Sequence, residues 1–117
     1  MQYAFLIYTS PAASATLRQE ETTALIQGYQ TFTQEVAERG ILDGGQKLQP
    51  TSTATTIRVR NAQRLITEGP FAETKEQLAG YFVLSCEDLD EALALAARLP
   101  DVNSGSIEVR PIMNLAR

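Results

Sequence analysis

Five side chains in this sequence have reactive groups at strand ends, beside turns or on predicted strands. They are Tyr8, Asp43, Lys75, Tyr81 and Arg110. A tyrosine at the mouth of a cavity offers an apolar ring together with a hydroxyl group, and cationic side chains favour a carboxylate or an enolate. We therefore predict that these residues bind a small polar or anionic molecule. Gly44, Gly45 and Gly80 lack side chains and are expected to leave space for it.

Each of these residues also has a purely structural interpretation. Core packing explains both tyrosines, and a solvated charged loop explains Lys75. An ion pair with Glu108 explains Arg110, because the two residues alternate onto one face of the same predicted strand. The glycines that follow Asp43 indicate a β-bulge or a bend at a sheet edge.

The sequence contains no histidine and one cysteine, Cys86. Histidine is the usual general base at neutral pH, so a Ser–His–Asp triad and a Cys–His pair are excluded. Transition metals prefer Cys and His ligands, and we expect neither a bound metal nor another cofactor. A single cysteine forms no intrachain disulfide, which suits a cytoplasmic location. Because Glu87 and Asp88 oppose thiolate formation, we expect Cys86 to be structural.

The charge pattern argues against a nucleic acid partner, and the length of the apolar runs argues against a membrane partner. The net charge is −4, and the basic residues are scattered except for Arg58, Arg60 and Arg64 on a predicted hairpin. Phosphate binding requires a concentrated basic surface. The apolar run near the N-terminus has about eight residues, too few for a spanning helix, and we interpret it as a buried strand.

Apolar periodicity predicts six strands and two helices. The predicted strands are Gln2 to Thr9, Ile41 to Leu48, Thr55 to Arg60, Arg64 to Thr67, Leu78 to Cys86, and Ser106 to Ile112. The first helix is predicted from Arg18 to Arg39, with an apolar face formed by Leu25, Tyr29, Phe32 and Val36. The second begins at Asp88 and stops before Pro100, with an apolar face formed by Leu89, Ala92, Leu93, Ala96 and Leu99.

Several turn residues carry specific expectations. Gly40 is expected to end the first helix, with an apolar contact at Ile41, and Gly28 inside that helix requires a close packing partner. Residues 11 to 16 are small and polar and are predicted to be a loop. The turn at residues 61 to 63 is a weak hairpin signal, because Ala62 resists positive φ.

The predicted order is β-α-β-(β-β)-β-α-β. Without the basic hairpin it is βαββαβ, the ferredoxin-like split unit, within an α+β domain that spans residues 1–117. Such a sheet has helices on one face only, whereas the strand from Gln2 to Thr9 is apolar on both sides. A second copy can cover the open face, and we predict a homodimer.

The stretch from Glu68 to Phe82, Glu-Gly-Pro-Phe-Ala-Glu-Thr-Lys-Glu-Gln-Leu-Ala-Gly-Tyr-Phe, resembles the signature of the YCII-related family. Within that family it resembles the branch named for an Asp-Gly-Pro-Phe tetrapeptide, and segments along essentially the whole chain match. Glu68 replaces the aspartate, and Ala79 stands where a second glycine is usual. The resemblance implies a dimeric α/β barrel in which two ferredoxin-like sheets face each other.

The resemblance implies no particular activity, since most members of this branch have none assigned. Relatives that resemble muconolactone-type dehalogenases use a His–Asp pair, which this sequence lacks. We predict a small-molecule binding protein. One alternative is a cofactor-free lyase or dehalogenase-like enzyme, in which Asp43, Glu73, Lys75 and Tyr81 would converge on one cavity. Another is a structural interaction domain with no cavity.

Overall fold

The computed structural model describes residues 1–115, which contain six strands and three α-helices. The strands are β1 (Gln2–Thr9), β2 (Leu42–Lys47), β3 (Thr55–Arg60), β4 (Gln63–Glu68), β5 (Gln77–Ser85) and β6 (Ser106–Pro111). The helices are α1 (Pro11–Ser14), α2 (Gln19–Glu38) and α3 (Leu89–Ala96), and short 3₁₀ turns lie at Thr51–Thr53 and Pro100–Asn103. None of the helices in this range is long and apolar enough to cross a membrane.

Four strands form one antiparallel sheet in the order β2-β5-β1-β6, and β3 and β4 form a separate hairpin. In the sequence, the hairpin lies between β2 and β5, which are neighbours in the larger sheet. This mixed α+β arrangement is consistent with the predicted ferredoxin-like fold. The first strand, which was interpreted as a buried strand, lies between β5 and β6.

The core lies on one side of the four-stranded sheet. Along β1, Tyr3, Phe5 and Ile7 are buried while the residues between them are half-buried. The buried cluster combines these side chains with residues of α2, β5 and α3, namely Phe32, Val36, Leu84, Cys86, Ala92, Leu95, Ala96 and Leu99. Both longer helices therefore cover the same face.

Three turn and cap predictions are confirmed. Gly40 has a φ of 73°, and the Ile41 amide donates to the Val36 carbonyl at 3.1 Å, as a glycine-capped helix end requires. The Asp88 side chain accepts from the Glu91 amide at 2.9 Å at the start of α3. A Cβ on Gly28 would lie 2.7 Å from the Pro100 ring, which is the close contact that the helix interior required.

The segment after β1 was predicted to be a loop, but Pro11–Ser14 forms one helical turn. The Ser10 hydroxyl accepts from the Ala13 amide at 3.3 Å, and Pro11 at the first helical position needs no hydrogen-bond acceptor. A capped turn of four residues is too short to show apolar periodicity, which explains the wrong prediction.

The predicted face of the second helix was partly wrong. Leu89 and Leu93 are about half exposed, whereas Leu95 is buried together with Ala92, Ala96 and Leu99. Leucines occur on both sides of this short helix, so periodicity alone does not define its buried stripe. The outward leucines leave an apolar strip on the surface of α3.

Candidate functional site

The side of the sheet opposite the helices, here called the open face, has no layer covering it in the described chain. It is formed by alternate residues of the strands: Ala4, Leu6 and Tyr8 of β1, Tyr81 and Val83 of β5, and Glu108 and Arg110 of β6. Leu6 lies opposite Tyr81 on one neighbouring strand and opposite Glu108 on the other. An apolar centre therefore has a charged edge along β6.

A carboxylate on that edge links two of the predicted site residues. Tyr8 Oη donates to Glu108 Oε1 at 3.3 Å, and Arg110 Nε donates to Glu108 Oε2 at 2.7 Å. The hydrogen bond from Arg110 is the main cause that lowers the pKa of Glu108 below its ordinary value. The side chains of Arg110 and Glu108 are 65% and 41% exposed, so the pair is open to a ligand.

The loop before β5 is fixed beside Tyr8. Ser106 lies opposite Tyr8 in the sheet, and its hydroxyl donates to Glu76 Oε1 at 2.7 Å. Thr74 braces the same loop by donating to the Glu76 carbonyl at 2.6 Å. Lys75 lies between these two residues in the sequence and is exposed. The backbone of Lys75 is therefore held near the end of the open face where Tyr8 lies.

Asp43 lies at the other end of the open face. It is the extra residue of a bulge in β2, and it accepts hydrogen bonds from Ser85 and Gln2 that lower its pKa. Gln2 precedes Tyr8 by six residues on β1, a separation of about 20 Å. The bulge predicted from the glycines is confirmed, but Asp43 is not next to Tyr8.

Comparison with known proteins identifies the family. The model of the YCII-related domain matches residues 1–116. The chain belongs to the YCII-related family. An uncharacterised protein of Rhizobium meliloti (strain 1021) is 37% identical over 114 residues, which cover 96% of this chain and 92% of that protein. The resemblance read from the sequence is thus confirmed, while membership of the Asp-Gly-Pro-Phe branch stays a prediction.

The YCII-related domain brings together only part of the predicted set. Tyr8 and Arg110 share Glu108, Tyr81 lies on the same face, and Lys75 is carried by the adjoining loop. Asp43 lies beside Gln2, at the end of the open face opposite the loop that carries Lys75, so these two residues of the enzyme alternative are not neighbours. Glu76 and Glu108 were not included in the predicted site. Strand alternation had already placed Glu108 beside Arg110, whereas nothing in the sequence indicates the contact between Glu76 and Ser106.

The glycines of the YCII-related domain were expected to leave a gap, and two of them do not. A Cβ on Gly45 would lie 2.8 Å from the Tyr81 carbonyl oxygen. A Cβ on Gly80 would lie 3.0 Å from the Gln46 carbonyl oxygen. These two glycines instead permit close approach of β2 and β5. Gly44 is the exception, because its added Cβ would make only ordinary contact with Val83 at 3.9 Å.

Cys86 is buried in the core of the domain. Burial is the main cause that raises the pKa of its thiol, and the nearby Glu91 carboxylate raises it further. The thiol therefore remains protonated at neutral pH, in agreement with the structural role expected from the sequence. Within residues 1–115, no three His, Cys, Asp or Glu side chains are grouped to hold a metal ion.

Proposed function

We propose that this YCII-related domain is a homodimer whose open faces lie against each other and bind a small polar or anionic molecule between them. The observation that supports the proposal is the uncovered apolar surface of the sheet around Leu6 and Val83. Helices cover only the opposite side, so the face is left to water unless a partner covers it. A second copy related by a two-fold axis would place its own open face against this one, so that the same surface of both chains forms the interface.

The dimensions of the chain favour a partner. Its extents are 48 × 47 × 19 Å, so it is a flat slab rather than a sphere. The accessible surface is 8409 Å², against about 6,300 Å² for a folded monomer of this mass. A stable interface buries about 800 Å² on each partner. The excess surface is therefore large enough to supply one.

The polar cluster beside Tyr8 favours a ligand with a carboxylate or similar group. Glu108 takes the Nε donor of Arg110, which leaves the terminal guanidinium nitrogens to bind two oxygens side by side. Covering the face would remove water and strengthen these hydrogen bonds. The Tyr8 hydroxyl and the Lys75 ammonium border the same region and would add polar contacts.

The dimer is tested by sedimentation at micromolar concentration. The wild-type chain should sediment as a dimer, and Leu6→Glu should sediment as a monomer because it buries a charge in the interface. Leu93→Glu is the matched control, since Leu93 is exposed on α3, away from the open face. Circular dichroism establishes that both variants are folded. A stable wild-type monomer would contradict the proposal.

The ligand is tested by a thermal-shift screen of small carboxylates, because a molecule that binds only the folded state raises its apparent stability. Calorimetry then measures the affinity of any carboxylate that binds. Arg110→Ala should weaken that affinity by about tenfold or more while leaving the dimer intact. Arg58→Ala, on the exposed hairpin, is the matched control. An unchanged affinity in Arg110→Ala would refute this site.

A further inference from the structure

A cleft of about 610 Å³ lies between α2 and the β2–β5 edge of the sheet. It is here called the α2 cleft, and it lies on the helix side, across the sheet from the open face. Among the five predicted site residues only Tyr81 borders it, through the strand backbone that separates the cleft from the open face. Its volume falls within the range of about 300–1,000 Å³ that is usual for small-molecule pockets.

The cleft exists because α2 packs tightly through only one of its halves. Phe32 and Val36, in the C-terminal half, are buried against the sheet. Tyr29 and Leu25, one and two turns earlier, are only half-buried, and Ile26 is 54% exposed. Gly45 and Gly80 line the cleft on the sheet side, below this part of the helix.

Most of the lining is apolar. Ile7 and Phe82 form the floor on the sheet, and Leu17, Leu25 and Ile26 form the helix wall. Leu17 and Ile26 leave much of their surface exposed to water at this groove. A molecule that covers them would gain the free energy of apolar burial.

The polar end of the cleft accepts hydrogen bonds. Tyr29 Oη donates to Asp101 Oδ2 at 2.6 Å, and both residues line the cleft. Burial, and then the hydrogen bond to Asp101, raise the pKa of Tyr29, so the phenol keeps its proton at neutral pH. Because that proton is engaged by Asp101, the pair offers a ligand the lone pairs of the phenol oxygen and of the carboxylate. Lys47 lines the β2 wall, but it is exposed and can keep its ammonium in water.

We propose that the α2 cleft binds a small, largely apolar molecule that carries a hydroxyl or amino group. The apolar body lies against Leu25, Ile26 and Phe82, and the polar group donates to Asp101 and Tyr29. This ligand differs in charge from the carboxylate expected on the open face, and the two sites lie on opposite sides of the sheet. The inference therefore stands independently of the proposed function.

Three probes that share one body test the polar preference. 3-Phenylpropanol and 3-phenylpropylamine should bind, with amide chemical-shift changes at Gly45, Gly80 and Tyr29. 3-Phenylpropanoate should bind this cleft about tenfold more weakly or worse, because at the Tyr29–Asp101 pair its carboxylate meets two acceptors, one of them negatively charged. Equal affinity for the alcohol and the carboxylate, or shift changes confined to the open face, would overturn the proposal.

Substitutions in the α2 cleft, with a matched control on α3, show where the probes bind. Ile26→Trp fills the groove from an exposed position and should reduce affinity for the alcohol about tenfold, whereas the matched Leu93→Trp on α3 should not. Asp101→Asn supplies a hydrogen-bond donor and should reduce the difference in affinity between the alcohol and the carboxylate. Loss of carboxylate binding in Arg110→Ala but not in Ile26→Trp would assign that binding to the open face. If the wild-type cleft binds none of the probes, or a second copy fills it as judged by intermolecular NOEs at Ile26, the inference is wrong.

Discussion

Gly105 lies against the backbone of Tyr8, just before β6 begins. A Cβ on Gly105 would be 2.1 Å from the Tyr8 carbonyl oxygen, a distance that no pair of non-bonded atoms tolerates. The Gly105 amide also donates to the Asp101 carbonyl at 2.7 Å. One glycine thus fixes the end of β1 that carries Tyr8 and the turn that carries Asp101.

Gly105→Ala should therefore destabilise the domain by roughly 1–3 kcal/mol, because the added methyl group meets backbone that cannot rotate away. Gly44→Ala is the matched control and should cost less, since its Cβ would make only ordinary contact with Val83 at 3.9 Å. Urea denaturation of both variants measures the difference. Equal stabilities would show that the turn relaxes at little cost.

Tyr29 should make the stability of the domain depend on alkaline pH. Its folded pKa is raised, first by burial and then by Asp101, above the unfolded value of about 10. In this pH range the folded state keeps a proton that the unfolded state has lost, so stability is full below about pH 10 and falls as pH rises further. Tyr29→Phe should make that fall less steep, as measured by urea denaturation between roughly pH 9 and pH 11. An unchanged slope would contradict the raised pKa.

At the scale of elements, long periodic segments and their caps could be predicted from the sequence. The spacing of Phe32 and Val36 gave the buried part of α2 correctly, whereas Leu25 and Tyr29 of the same predicted face are only half-buried. α3 has eight residues with leucines on both sides, so its buried stripe depended on its tertiary packing, which includes β6. At the candidate site, strand alternation correctly placed Glu108 beside Arg110. The sequence did not show that Asp43, on β2, lies beside the first residue of β1 while Tyr8 lies near its last, because local patterns do not encode how strands pair.

The hairpin turn shows tertiary structure overriding a local preference. Asn61 and Ala62 have φ values of 52° and 63°, and Arg60 pairs directly with Gln63. This is a tight two-residue turn, not the three-residue turn expected from residues 61 to 63. An alanine in this conformation is strained, and the cross-strand pairing of Ile57 with Ile66 helps to offset the strain.

Ala62→Gly should accordingly stabilise the hairpin by roughly 0.5–1 kcal/mol, since glycine adopts positive φ without strain. Slower amide hydrogen exchange at Arg58 and Leu65, a directly opposed and hydrogen-bonded pair of the hairpin, measures the effect. Ala24→Gly, at an exposed position inside α2, is the matched control and should destabilise the helix by about 1 kcal/mol. Faster exchange in Ala62→Gly would mean that strain at the alanine does not limit the stability of the hairpin.

At the scale of the whole molecule, a flat shape leaves a large fraction of the chain near solvent. The Cα radius of gyration is 16.3 Å, against about 13 Å for a compact domain of this length. Part of the difference comes from the β3–β4 hairpin, in which both strands are almost entirely exposed. An isolated two-stranded hairpin is only marginally stable in water, so the hairpin, like the open face, would be stabilised if the proposed second copy covered it.

If folding and dimerisation are coupled in this way, the melting temperature should depend on protein concentration. Mass action favours the dimer by about 1.4 kcal/mol for each tenfold rise in concentration, which corresponds to a shift of roughly 3–5 °C for a dimer of this size. Leu6→Glu should remove this dependence together with the dimer, and Leu93→Glu should keep it. Differential scanning calorimetry over two decades of concentration measures the shift. A wild-type melting temperature that is independent of concentration would mean that each chain is stable alone, and that its open face contributes to binding but not to folding.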